Sequence, residues 1–307
     1  MGKQQIKDSN WKTIFGTIIT IWIVASIIAS SVSELKQAVS EKIVIIPIVG
    51  PLTISENDGG ILQSGTASTS DILDNIKKAK DDSSVKAVIF EINSPGGTVV
   101  ASEEIANAVK NLDKPNIALI REVGASGAYW VASASDKIVA SPMSITGSIG
   151  VISSYLEFSK LFDKYGITYQ QLTSGEYKDV GTPYKELSVK EKDYLQKKLD
   201  IIYDYFISEV SKNRNMDREK VKEMADGKFY LGTEAKDLGL IDYLGDREFA
   251  VNLTKQMINK TDIEVITYKQ KLTFLEQLTR MSSYYAGKGI GETLLNFNIN
   301  KEIKINA

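Results

Sequence analysis

Val85-Lys86-Ala87-Val88-Ile89-Phe90-Glu91-Ile92 runs directly into Asn93-Ser94-Pro95-Gly96-Gly97. The first part, dense in β-branched and aromatic residues, reads as a buried strand. The second reads as a tight turn, because Pro95 restricts φ and Gly96-Gly97 permits positive φ. Working outward, the same alternation recurs. Upstream, Ile43–Val49 predicts a strand, and Ser70 can cap a helix reaching about Lys80, with Ile72, Leu73 and Ile76 on one side. Downstream come a helix from about Val99 to Leu112, a strand over Asn116–Ile120, and a short helix opening near Ser126. Further strands are expected over Lys137–Ala140 and Ile149–Ser153, then a helix ending near Tyr165-Gly166. Strands and helices in this rhythm imply parallel pairing and a layered α/β domain. A long charged helix is expected over 189–213, with Leu195, Leu199, Ile202 and Phe206 along one face, and a strand near Ile263–Tyr268 precedes an amphipathic helix.

Composition narrows the chemistry. The 307 residues carry a formal net charge of −2, with 43% apolar and 25% charged residues, which is ordinary for a globular chain. A near-neutral chain is poorly suited to neutralising many phosphates, so nucleic acid is not an expected partner. There is no Cys and no His. That removes disulfides, thiolate ligands and cysteine nucleophiles, together with the usual neutral-pH base and the commonest metal ligand. No metal and no cofactor are expected. A Ser-His-Asp triad is impossible, and a hydrolase built from this chain needs Lys, a carboxylate or an N-terminal amine as its base.

Near the N-terminus, about 21 residues from Thr13 to Ser33 carry no charge, enough for a helix about 31 Å long that matches bilayer hydrocarbon. A buried core helix would show a polar face, and this segment offers only Ser and Thr. An uncleaved anchor is the expectation, with a cleaved signal peptide as the competitor, since Ala29-Ser30-Ser31 supplies small residues. Lys3, Lys7 and Lys12 against Asp8 place the N-terminus in the cytoplasm and the remaining chain outside.

Three segments can carry chemistry. Gly124-Ala125-Ser126-Gly127-Ala128 follows a strand and opens a helix, so small residues flank Ser126 and the Gly127 amide lies at a helix start. Most serines are solvated or capping hydroxyls, and the order is not that of the Gly-x-Ser-x-Gly elbow. The turn at 93–97 is either a simple connection or half of an oxyanion site, with the Gly97 amide converging on the same point as that of Gly127. Both turns end predicted parallel strands, where open α/β sheets place their sites. Lys178 sits in the Gly/Pro-rich loop 174–183. A lone lysine is usually a surface charge, but one depressed by burial from about 10.4 can act as a base. Asp179 beside it is expected to face away, since facing inward it would hold Lys178 charged.

Together these stretches carry a resemblance. Ile92–Gly97, Ala125–Trp130, Asp136–Ala140, Thr146–Val151, Ser174–Asp179 and Gly239–Asp242 resemble, in order, the signal peptide peptidase A family of membrane-bound Ser-Lys peptidases with a Clp-protease/crotonase-like fold. The resemblance implies Ser126 as nucleophile, Lys178 as general base, the Gly97 and Gly127 amides for the oxyanion, and Ser148 as a hydroxyl orienting the lysine. It also implies extended apolar peptide substrates such as remnant signal peptides, and a homo-oligomer whose neighbouring subunits complete each site. Ala128 departs from the family's common second glycine. The competing readings are a crotonase-fold acyl-CoA enzyme, disfavoured by an anchor that places the domain outside, and a catalytically silent membrane-linked scaffold. The expected organisation is a cytoplasmic flank (1–12), an anchor (13–33), a linker (34–42), a peptidase domain (43–258) and a C-terminal strand and amphipathic helix of unassigned role (259–307).

Overall fold

The computed structural model describes residues 15–27, 40–54 and 68–268. Residues 15–27 form helix α1. Beyond it, an eight-stranded sheet contains β1 (Lys42–Val49), β2 (Val85–Ser94), β3 (Asn116–Ala125), β4 (Lys137–Ala140), β5 (Ile145–Gly147), β6 (Phe229–Leu231), β7 (Tyr243–Leu244) and β8 (Glu264–Thr267). The order is β6-β5-β3-β2-β1-β8, with β4 and β7 branching off β3. Every pairing is parallel except that of β5 with β6. The helices are α2 (Thr69–Asp81), α3 (Val99–Lys110), α4 (Gly127–Ser133), α5 (Ser159–Lys164), α6 (Val189–Arg214), α7 (Arg218–Met224), α8 (Gly232–Asp237) and α9 (Arg247–Met257).

Strand alternation divides the interior in two. Val44, Ile46 and Ile48 of β1 enter one core with Val88, Phe90 and residues of α2, α3 and α4. Ile43 and Ile45 enter a second with Ala87, Ile89, Ile117 and Leu119, closed by Ala250 and its neighbours on α9. Because both faces are covered, the central strands read as near-continuous apolar runs. Each fully buried Ile contributes about 1.5–3 kcal/mol.

β3 decides where the site lies. Ile117–Ile120 pair with β4, whereas Val123–Ala125 pair with β5 on the same side, so one strand serves two short partners in succession. The expected strand over 116–120 therefore continues to Ala125 through exposed Arg121 and Glu122. Their charge hides the continuation from a hydrophobicity pattern. Ile149–Ser153, expected as a strand, is irregular; the strand lies earlier, at Ile145–Gly147. Gly147 (φ 74°) and Ser148 (φ 50°) take left-handed conformations that turn the chain off the ladder. The cap of α2 is Ser68 rather than Ser70: its side chain accepts from the Asp71 amide at 3.2 Å. The C-terminal strand pairs with β1, from Lys42↔Glu264 to Ile45↔Thr267, so the sheet extends past the expected boundary at 258. The amphipathic helix expected beyond it lies outside the described residues.

Between 151 and 188 the chain leaves this core. Leu172 is fully exposed, Ile152 is 92% exposed, and Leu156, Tyr165 and Ile167 are also exposed. Helix α6 continues this arm. Its expected apolar face is only half-buried at Leu195, Leu199 and Ile202, and packing begins in its C-terminal half with Phe206, Ile207 and Val210. There Trp130 of α4 stacks on Phe206 at 5.1 Å between ring centroids.

In α1 the side chains are exposed, and the Thr20 and Ser26 hydroxyls donate to the carbonyls of Gly16 and Trp22. Among the described residues no helix is long and apolar enough to cross a membrane. The expected anchor over 13–33 lies partly outside them.

Candidate active site

Ser126 lies where β3 turns into α4. Its amide donates to the Gly147 carbonyl at 2.8 Å, and its own carbonyl accepts from the Trp130 amide at 3.0 Å. Between those two anchors it takes φ 54° and ψ −127°. A non-glycine residue held in such a conformation costs on the order of 1–3 kcal/mol, and the surroundings must impose it. Here they do: Gly124 lies between Ser94 and Thr146 in the sheet, and every residue of α4 is buried. The Ser126 side chain makes no capping bond and stays half-exposed. Although the sequence order differs from the hydrolase elbow, the local shape is likewise a strained strand-to-helix turn.

The Asn93–Gly97 turn comes up against it. An added Cβ on Gly96 would lie 2.7 Å from the Gly127 nitrogen, and one on Gly127 would lie 3.4 Å from the Gly97 nitrogen. Leu52 holds the turn from beneath, donating to the Gly96 carbonyl (2.9 Å) and accepting from the Thr98 amide (2.8 Å). This bridge passes over the Gly97 amide, which has no acceptor among the described residues. The Gly127 amide, at the first position of α4, has none either. Two unpaired N–H groups therefore stand beside the Ser126 turn, an arrangement suited to a developing oxyanion.

Several supports were not legible in the sequence. The Asn93 carboxamide oxygen accepts from the Val123 amide (3.1 Å), and the Ser94 hydroxyl accepts from the Gly96 amide (3.1 Å). Ser102 fills the space where a side chain on Gly127 would go. The Tyr129 hydroxyl, fully buried, donates to the Leu240 carbonyl at 2.8 Å, and burial pushes its pKa up. Asp242 accepts from the Ile138 amide (2.8 Å) and from Arg214 (2.9 Å). The Gly239–Asp242 motif thus braces the back of the serine helix.

Ser148 is near the turn but engaged elsewhere. Its amide donates to the Lys228 carbonyl at 2.8 Å and its hydroxyl to the Gly227 carbonyl at 3.3 Å. Lys178 is on the arm. Its side chain is exposed, contrary to the expected burial, with no hydrogen-bond or ion-pair partner among the described residues. Among the described residues nothing joins it to Ser126 or Ser148.

Asp179, next to Lys178, gives its carboxylate to Lys185 at 2.7 Å. Lys185 also holds Glu191 at 2.9 Å, and Glu191 accepts from the Ser188 amide and hydroxyl, each at 2.8 Å. The hydrogen bond from Lys185, followed by those from Ser188, lowers the Glu191 carboxyl to about 2. The bonds to Asp179 and then Glu191 raise the Lys185 ammonium in turn.

Residues 108–261 match peptidase family S49. A putative protease of Methanocaldococcus jannaschii is 39% identical over 226 residues, 73% of this chain and 72% of its own. A putative signal peptide peptidase SppA of Enterococcus faecium is 36% identical over 242 residues, 78% of this chain and 70% of its own. Among solved structures, the 1510-N membrane-bound stomatin-specific protease is similar over 76% of this chain and 99% of its own, with a TM-score of 0.48 and 18% identity. The family match falls on the stretch that contains the strained serine turn and the arm, and the chain belongs to peptidase family S49 as a serine-type peptidase.

Proposed function

We propose that this peptidase is a membrane-anchored Ser-Lys endopeptidase of Clp-protease/crotonase-like layering that cleaves extended apolar peptides, remnant signal peptides among them. The observation that carries the reading is the Ser126 turn, with its strained backbone and the two unpaired amides of Gly97 and Gly127 beside it. Neutral Lys178 takes the Ser126 hydroxyl proton, and the oxygen attacks the scissile carbonyl. The paired amides hold the oxyanion. Protonated Lys178 then gives its proton to the leaving amine, and the acyl-enzyme is hydrolysed when Lys178 activates a water in the same way.

In one chain Lys178 is exposed among uncovered apolar residues. This supports a homo-oligomer in which the arm packs on a second copy, desolvating Lys178 and bringing it to a serine, with the Ser148 hydroxyl turning to orient it. Desolvation disfavours the ammonium, as a general base requires. The anchor over 13–33 would hold the domain at the outer membrane surface, its N-terminus cytoplasmic.

The full chain, purified in detergent, is expected to cleave a quenched apolar peptide and to be labelled by a serine-directed fluorophosphonate on Ser126, as mapped by mass spectrometry. Labelling at another serine would overturn the nucleophile, and full activity in a sedimenting monomer would overturn the shared site.

A further inference from the structure

The geometry points to Lys185 as a positioning residue that occupies the Asp179 carboxylate and so keeps it from pairing with the neighbouring Lys178. The inference rests on the reading of Lys178 as general base and explains how a lysine followed directly by an aspartate can serve as one. A carboxylate on the next residue, left without another partner, would favour the ammonium.

Most carboxylates around the loop are paired. Asp179 is 14% exposed at its side chain and bonded to Lys185. Glu191, from the first turn of α6, is 7% exposed and shares the same ammonium while capping its helix through Ser188. Glu176 on the loop pairs with Lys190 of α6 at 3.6 Å, and Glu186 pairs with Lys160 of α5 at 2.5 Å. One turn on, Asp193 pairs with Lys197 at 2.7 Å. Tyr177 stacks on Tyr194, fastening the loop to α6 on its other side. Lys178 is left as the cation of this loop without a carboxylate partner among the described residues.

Lys185 thereby does two things at once. It ties the loop to the capped start of α6, and it engages the Asp179 carboxylate with an ammonium that it shares with Glu191. A purely structural tie would do only the first. The two roles separate in the pH profile of kcat/KM, whose acidic limb reports the base in the free enzyme.

The experiment measures that profile for the full-length chain in detergent. Lys185→Met is expected to move the acidic limb to higher pH by about one unit, since the freed carboxylate then favours protonated Lys178. Asp179→Asn is expected to move it to lower pH, because the variant removes a negative charge next to Lys178 while Lys185 keeps its bond to Glu191. The double variant should return towards wild type, and Lys185→Arg, which keeps the pair, should leave the limb in place. Rates lowered equally at every pH, with the limb unmoved in both single variants, would overturn the proposal and leave a structural tie. If Lys185→Met does not fold, Lys185→Gln is measured in its place, with the same expected shift and the same overturning result. Lys178→Ala is measured alongside: wild-type activity there would overturn the base assignment itself, an outcome distinct from an inactive Lys178→Ala with unmoved limbs elsewhere.

Discussion

The two halves of the candidate site are built in opposite ways. Ser126 immediately precedes a helix whose every residue is buried, at the end of a strand that serves β2, β4 and β5. Lys178 sits in an arm whose apolar residues face solvent and whose order comes from ion pairs and stacked tyrosines. A strained serine needs a rigid frame, because only dense packing can hold a residue in a disfavoured conformation. For the proposed role as a base a lysine needs desolvation, and among the described residues the Lys178 side chain is exposed.

The contrast can be broken most sharply at the serine. Ser126→Ala is expected to lower peptide cleavage by about 10³-fold or more, while the thermal unfolding curve stays in place, because the hydroxyl caps nothing. Retained cleavage would move the nucleophile elsewhere. Lys178→Arg should fail as completely as Lys178→Ala in the same assay, since a guanidinium stays protonated at working pH. An active arginine variant would remove the lysine from proton transfer.

The next test weighs the two regions by stability. Ile89→Ala opens a cavity beneath β2 and is expected to cost about 2–5 kcal/mol in urea unfolding. Leu172→Ala, at a fully exposed position, should change the unfolding of dissociated chains by less than about 0.5 kcal/mol. In sedimentation Leu172→Ala should weaken self-association. A large loss of monomer stability would mean that the arm packs on its own chain.

The smallest effect concerns acid. Glu191 has a folded pKa of about 2 against an ordinary 4.5. A depressed carboxyl contributes stability above its unfolded value and loses it as pH falls through the folded one. Amide exchange in 174–191 should therefore quicken as pH drops from 4.5 towards 2, after correction for intrinsic rates. Glu191→Gln should flatten that dependence. Asp82, held at about 2 chiefly by the Ser84 hydroxyl and then by Lys42, acts on the sheet side over the same range. Exchange in the two regions thus separates arm from core.

Legibility in the sequence followed the same division. The runs at 43–49 and 85–92 were readable because strands buried on both faces leave unbroken apolar patterns. The turns at 93–97 and 124–128 were readable because glycine and proline carry their conformational reasons with them. What escaped depended on partners far along the chain. β3 continues through charged Arg121 and Glu122 because β5 meets it there. Ile149–Ser153 has the residues of a strand but lies beyond two left-handed residues. Ser102 and Leu52, which underlie the glycine turns, carry no local signal at all.

By itself the sequence determined a parallel α/β layering, excluded histidine and cysteine chemistry, and marked Ser126, Gly97 and Gly127 as residues able to act together. Those follow from side-chain identity and local periodicity, which need no partner. Only the tertiary structure decided that the two glycine amides meet unpaired beside a strained serine, that β8 closes the sheet against β1, and that Asp179 belongs to Lys185 rather than to Lys178. Each of these depends on backbone or charges brought together from separate elements, and such contacts exist only once the chain has packed.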